Sequence, residues 1–264
     1  MLFPIAGVIT LICAWLVWDC VWKSTQCNSC NISVLLSLSI ILSLIGLIRL
    51  EPVTAHGIDF KLAASVAICT ILVQDIYLVG MIKHGVKGLG LFLLPTSAIP
   101  LLLIPLLPAE PSVSIQTTSL LETSHLLISL LAYAILTLAT LHAIMHLMLD
   151  RALKRKRLGR LMQVLPSLLE IEKHMYAQIR LSAWLLGIGI LTGLSWQWVE
   201  HSRFILVSHK VILALFSWVV LIALLFMRRT AAWPGRRASF MVLAAYILLL
   251  LAYFGVKLIQ SWRQ

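Results

Sequence analysis

The chain has 264 residues, of which 61% are hydrophobic and only 12% charged, with a mean hydropathy of +0.99. No soluble domain has that composition; it describes a polytopic membrane protein. The formal net charge of +11 sits mainly in short turns between apolar runs, the pattern that orients membrane helices, and so does not point to nucleic acid as a partner.

A membrane-spanning helix needs about 20 apolar residues, and eight segments qualify: 2–22, 31–48, 62–82, 89–107, 121–148, 178–198, 209–227 and 239–260. The expected fold is therefore all-α, a single membrane domain over residues 1–264 built as a bundle of about eight transmembrane helices. Met1 to Trp22 has no basic leader and no small-residue cleavage site, which predicts a retained first span rather than a signal peptide. The two most basic turns are 151–160, with Arg151, Lys154, Arg155, Lys156, Arg157 and Arg160, and 228–237, with Arg228, Arg229, Arg236 and Arg237. Both belong on the cytoplasmic side. Counting spans from them places 23–30 and 83–87 inside, and 49–61, 108–120, 199–208 and both termini outside.

In chain order, the first chemical feature is Cys27-Asn-Ser-Cys30, a spacing used by redox dithiols, zinc sites and covalent haem attachment. Residue 31 is Asn rather than His and no second such pair follows, so the expectation is free thiols on the inner side. A seven-span frame would move both cysteines to the oxidising side and restore a disulfide. Gln74 and Asp75 lie inside the third span, where they either relay protons or hydrogen-bond neighbouring helices. Pro95, Pro100 and Pro105 are expected to bend the fourth span. Pro108 to Thr118 reads as an irregular surface loop. Leu158 to Arg180 is amphipathic and is expected to lie along the inner interface before the sixth span.

Histidines dominate the remaining candidates. His125 opens the fifth span, while His142 and His146 lie near its inner end. Seventeen positions of helix, about 25 Å, separate His125 from His142, so they define two levels. At the outer level His125, His209, His201 and His56 fall near Trp196 and Trp198, which stand at the end of a span followed by a polar connection. Neutral imidazoles bind haem iron axially, aromatic and apolar surface covers a porphyrin, and Arg203 or Lys210 can meet its propionates. Solvated, interfacial histidines are the competing reading. At the inner level His142 and His146 share one helix face, where they either hold a transition metal or second haem or simply reach the interface. The chain contains no P-loop, G-x-S-x-G or H-E-x-x-H, and no enzymatic activity is expected.

Several segments resemble one family in order and spacing: SHLLISLLAY at 124–133, LPSLLEIEKHMYAQIRLSAWLLGIGILTG at 165–193, Lys210 eight residues before Trp218, WPGRR at 233–237 and LAYFGVKLI at 251–259. Over roughly Glu122 to the C-terminus the sequence resembles the integral-membrane cytochrome c assembly family, the group of CcsA, CcmC and HemX-like proteins, and within it the YpjD inner-membrane branch. Residues 1–110 match it only as spans of similar number. The resemblance implies a multi-pass protein of the bacterial inner membrane that handles non-covalent haem b at its outer face, in cytochrome c maturation or haem homeostasis, with other cytochrome-assembly or membrane-transport proteins as partners.

Residue by residue, it carries a haem-ligand role to His125 and haem-contact roles to Trp196, Trp198, Lys210 and Trp218, around a Trp-rich outer connection over 194–210. The synthase pattern W-x-W-D-P-K-E-T-W is replaced by WQWVEHSRFILVSHKVILALFSW, and the residues after the last span, LIQSWRQ, carry no histidine. A second axial ligand would come from His209, His201 or His56, or the site is five-coordinate. Two other functions remain open: a cofactor-free regulatory or scaffold subunit acting through the basic segment 151–180, and a transporter or redox protein using Asp75, the prolines of the fourth span or Cys27 and Cys30.

Overall fold

The computed structural model describes residues 2–23, 29–50, 53–54, 57–59, 62–84, 88–107, 116–117, 119–156, 165–201, 209–231 and 235–252. Its helices are α1 (Leu2–Lys23), α2 (Ser29–Ile48), α3 (Leu62–His84), α4 (Gly90–Leu103, prolonged by a 3₁₀ turn over Ile104–Leu106), α5 (Leu120–Lys154), α6 (Leu168–His201), α7 (His209–Ala231) and α8 (Gly235–Leu250). All but α4 and α8 are long and apolar enough to cross a membrane, and the whole is a polytopic helix bundle. Pro95 and Pro100 lie inside α4, and Pro105 falls in the turn that ends it.

The bundle has two halves that share α5. Ala134, Leu138, Leu141, Met145 and Leu149 enter a core with α1 to α4, while Ala132, Tyr133, Leu136, Ala139 and Ala143 enter a second core with α6 to α8. Both sets repeat at helical spacing on different faces of one helix, which is why this helix is apolar nearly all round. In the first half, small hydroxyls join the helices. Fully buried Gln74 donates to Thr10 at 3.2 Å and Ser97 at 3.3 Å, and the Thr10 and Ser39 hydroxyls lie 2.8 Å apart. Of the two readings of Gln74, helix-to-helix hydrogen bonding is the one this geometry displays.

Three short strands, β1 (Val53–Thr54), β2 (Gly57–Asp59) and β3 (Gln116–Thr117), form an antiparallel sheet in the order β1-β2-β3, with Val53 opposite Ile58 and Ile58 opposite Thr117. This sheet adds a detail that an all-helical reading did not contain and gives order to part of the expected loop 108–118. It joins the connections before α3 and before α5, two segments that charge parity had put on the same side.

The amphipathic segment departs from expectation more clearly. Residues 168–180 do not form a separate helix on the inner interface but are the first turns of α6, which runs unbroken for 34 residues, or about 51 Å. Their apolar side is taken up by α5: Ile171, Met175, Ile179, Ala183 and Leu186 form one buried stripe, and α5, itself 35 residues long, supplies the facing surface. The two helices make the most extensive helix pair of the fold and both outreach a hydrocarbon core of about 30 Å.

Each begins with the same tetrapeptide, Ser-Leu-Leu-Glu. At α6 the Glu170 carboxylate accepts from the Ser167 backbone N–H at 3.0 Å while Ser167 Oγ accepts from Glu170 N–H at 3.3 Å, and at α5 Ser119 Oγ accepts from Glu122 N–H at 3.2 Å. The pair at α6 is a capping box and the bond at α5 is the serine half of the same motif, each satisfying donors left open at a helix start. If the inner part of α6 packs on α5 as described, Ile179→Ala at its fully buried position should lower the unfolding free energy by about 2 kcal/mol. Leu169→Ala, at a position 77% exposed, should leave thermal unfolding in detergent unchanged.

Candidate functional site

At the end of the bundle opposite the basic turns, the first turns of α5 and α7 meet the last turns of α6 and α8 around a cavity of about 430 Å³. Its size falls in the range of small-molecule and cofactor pockets. Two glycines one turn apart on α6 make room for it. A Cβ on Gly193 would lie 2.7 Å from Cε1 and 2.9 Å from Nδ1 of His125, and one on Gly189 would lie 3.2 Å from Ser129 Oγ. The imidazole of His125 therefore rests where any other residue at 193 would put its side chain.

A hydrogen bond of 2.7 Å joins His125 Nδ1 to the Gly189 carbonyl oxygen. A carbonyl only accepts, so Nδ1 carries the proton and, in the neutral ring, Nε2 keeps the lone pair. Histidines that ligate metals are commonly held this way, by a backbone carbonyl on the other ring nitrogen. The cavity walls are mainly apolar, with Leu126, Leu130, Leu186, Ile190, Leu194 and Val211. Tyr133 helps close the floor, its hydroxyl donating to the Leu249 carbonyl at 2.6 Å. Polar groups enter from the outer end as Glu122, Trp196, Gln197 and Lys210.

Of the sequence candidates, His125, Trp196 and Lys210 thus share one cavity. Residues 194–201 are helical, so the tryptophans stand on the last turns of α6 rather than in a loop. Trp198 is 54% exposed and is not among the residues lining the cavity. Trp218 lies deeper and fastens α7 to α6, with Nε1 donating to the Ala183 carbonyl at 3.0 Å beside Gly187. Ser217, next to it, donates to the Ala245 carbonyl of α8 at 2.9 Å. His201 ends α6 and His209 begins α7; their side chains, and all of His56 and Arg203, lie outside the described residues.

A family model described as cytochrome C assembly protein matches residues 6–262. The chain belongs to that family. Among curated relatives it is similar to the inner membrane protein YpjD of Escherichia coli K12, 33% identical over 138 residues, covering 52% of this chain and 51% of the relative. Protein HemX of Brevibacillus brevis is 27% identical over 152 residues, 58% of this chain and 56% of HemX. The cytochrome c biogenesis protein CcsA of Guillardia theta is 27% identical over 203 residues, 69% of this chain and 64% of CcsA. The chain thus spans about half the length of YpjD. Because the family match starts at residue 6, the cytochrome c assembly pattern also takes in the four N-terminal helices, whose likeness had looked limited to span number.

The inner histidines of this family member have partners that the sequence reading did not name. His142 and His146 are both buried. His142 Nδ1 donates to the Leu138 carbonyl at 2.9 Å, and its ring centroid stands 5.9 Å from that of His174 on α6. His146 Nδ1 lies 3.2 Å from Ser239 Oγ, while its Nε2 and a carboxylate oxygen of Glu172 both border the space above Gly235. Among the described residues no group of three His, Cys, Asp or Glu side chains is placed to hold a metal ion. Cys30 is an exposed free thiol, and Cys27 lies outside the described residues.

Glu122, Gly189 and Gly193 are the site residues that the sequence reading passed over. A signal for Glu122 existed in the Ser119-x-x-Glu122 capping spacing just before His125, and one for the glycines in their four-residue interval on a span. If Gly193 seats the imidazole, nitrogen NMR of ¹⁵N-histidine protein at neutral pH should show His125 with a protonated Nδ1 and a bare Nε2. Gly193→Ala should disturb that signature while leaving His142 unchanged.

Proposed function

We propose that this cytochrome c assembly family member binds haem b non-covalently in the outer cavity and passes it on in cytochrome c maturation or haem homeostasis, in the bacterial inner membrane. The observation that carries the reading is His125, which lines an apolar cavity of about 430 Å³ with Nδ1 committed to the Gly189 carbonyl, so that Nε2 keeps the lone pair. The residues fit the group. Nε2 of His125 would take an axial position, the leucine and isoleucine walls and Trp196 would cover the macrocycle, and Lys210 would meet a propionate.

Haem, when bound, supplies an iron centre that accepts an imidazole nitrogen and changes oxidation state. This chain's own contribution is to fix the imidazole in one tautomer, keep water from the apolar walls and place a cation at the outer end. His201 and His209, on the two helix ends nearest the cavity mouth, are the candidates for a second ligand. Covalent attachment is not part of the proposal, because Cys27 and Cys30 are followed by Asn31 and no histidine completes that motif. The role is handling, without catalysis. The chain's likeness to the cytochrome c biogenesis protein CcsA and its membership of the cytochrome C assembly protein family support it.

Exposed Arg151, Lys154, Arg155 and Lys156 at the inner end of α5 favour one second reading, a docking or regulatory subunit that needs no cofactor. Absorption spectra of detergent-purified protein, oxidised and then reduced, separate the two. The haem reading expects a Soret band and reduced α and β bands that His125→Ala removes or shifts, with Lys210→Gln weakening haem binding about three- to tenfold. Wild-type protein that is folded, lacks a Soret band and takes up no added haemin would overturn it in favour of the docking reading.

A further inference from the structure

The outer cavity holds a charge that a site built only for tight haem retention would leave out. Glu122 is 7% exposed and lines the cavity together with His125, one turn further along α5. Among the described residues Lys210 is the only cation lining it. A helix start favours a carboxylate over its neutral form, and the capping box explains why a glutamate follows Ser119 by three residues. Capping does not explain why the residue sits in a cavity. The same tetrapeptide at α6 places Glu170 in the open, where it caps its helix from solvent.

We infer that Glu122 is the release determinant of the haem site, a carboxylate that competes with a haem propionate for Lys210 and so keeps haem exchangeable. The inference rests on the haem reading above. A ligand with two carboxylates enters a cavity whose described charged residues are one acid and one base. Its propionates are drawn to Lys210 and repelled by Glu122, and like charges brought together in a partly desolvated site cost far more than in water. Such an element lowers affinity without touching the iron ligand. For a protein that hands its cargo on, affinity low enough for transfer is a requirement, and most tuning of affinity appears in the dissociation rate.

The test uses full-length protein in detergent loaded with haemin, with haem loss followed by transfer to excess apomyoglobin. Glutamine serves equally at this position of a capping box, so E122Q removes the charge and keeps the cap. Haem release from E122Q should be about tenfold slower than from wild type, and K210Q should release faster. E170Q, which removes the matching capping charge far from the cavity, should release at the wild-type rate.

Haemin dimethyl ester, which has no propionate charge, should leave wild type and E122Q at equal rates. Release from E122Q as fast as or faster than wild type overturns the inference, as does an equal slowing of the ester, which would make the effect one of shape. In both cases the Soret band of the wild-type protein remains and the haem reading stands. A wild-type protein that takes up no haemin overturns both.

Discussion

The packing of α5 on both of its faces is the constraint from which the rest of the structure follows. A helix that faces lipid on one side can rotate or slide at little cost. One that sends Leu138, Met145 and Leu149 into one core and Leu136, Ala139 and Ala143 into another cannot turn without opening both. Close packing with few voids makes such a position discrete rather than adjustable. Because α5 is fixed, His125 on its outer turns and His142 and His146 on its inner turns have fixed heights, and the glycines of α6 can be matched to them.

That match is what turns an outer histidine into a candidate ligand. The imidazole needs a space without a Cβ, at Gly193, and a carbonyl, at Gly189, one turn away on the same helix face. Both come from α6, whose long inner contact with α5 sets its register. The relation between the two ends of the hairpin is therefore mechanical as well as sequential. Residues 168–180 pack far from the cavity, yet their buried stripe fixes the height at which Gly189 and Gly193 meet His125.

Much of this was legible in the sequence because membrane helices announce themselves by length and hydropathy alone. Span positions, the same-side placement of the connections now joined by a small sheet, and the meeting of His125 with Trp196 and Lys210 all followed from apolar runs, charged turns and the family resemblance. Partner choice did not. An amphipathic stripe such as Ile171, Met175 and Ile179 suits a lipid interface or a neighbouring helix equally well, and only the inner extension of α5 decides between them. Trp218 illustrates the same limit, since a tryptophan near a span end can cover a ligand or hydrogen-bond a backbone carbonyl, and here the Ala183 carbonyl takes it. Glycines are harder still to interpret, because their role is defined by what approaches them.

One arrangement has a mechanical side. Consecutive residues of α7, Ser217 and Trp218, are fastened to α8 and α6 by side-chain hydrogen bonds, and near its inner end Arg228 lies 3.8 Å over the Tyr176 ring. Of the long spans, α7 is the one with the smallest share of buried residues. A rod clamped along its inner part, with none of residues 210–216 fully buried, is a cantilever. Its unclamped length, from Ser217 out to Lys210, is about 10 Å and ends in the one described cation of the cavity. Bending concentrates at the clamp and displacement at the tip, so the same elastic energy moves the outermost turn, which carries Lys210, further than the turns nearer the clamp, while His125, on a helix held from both sides, stays where it is.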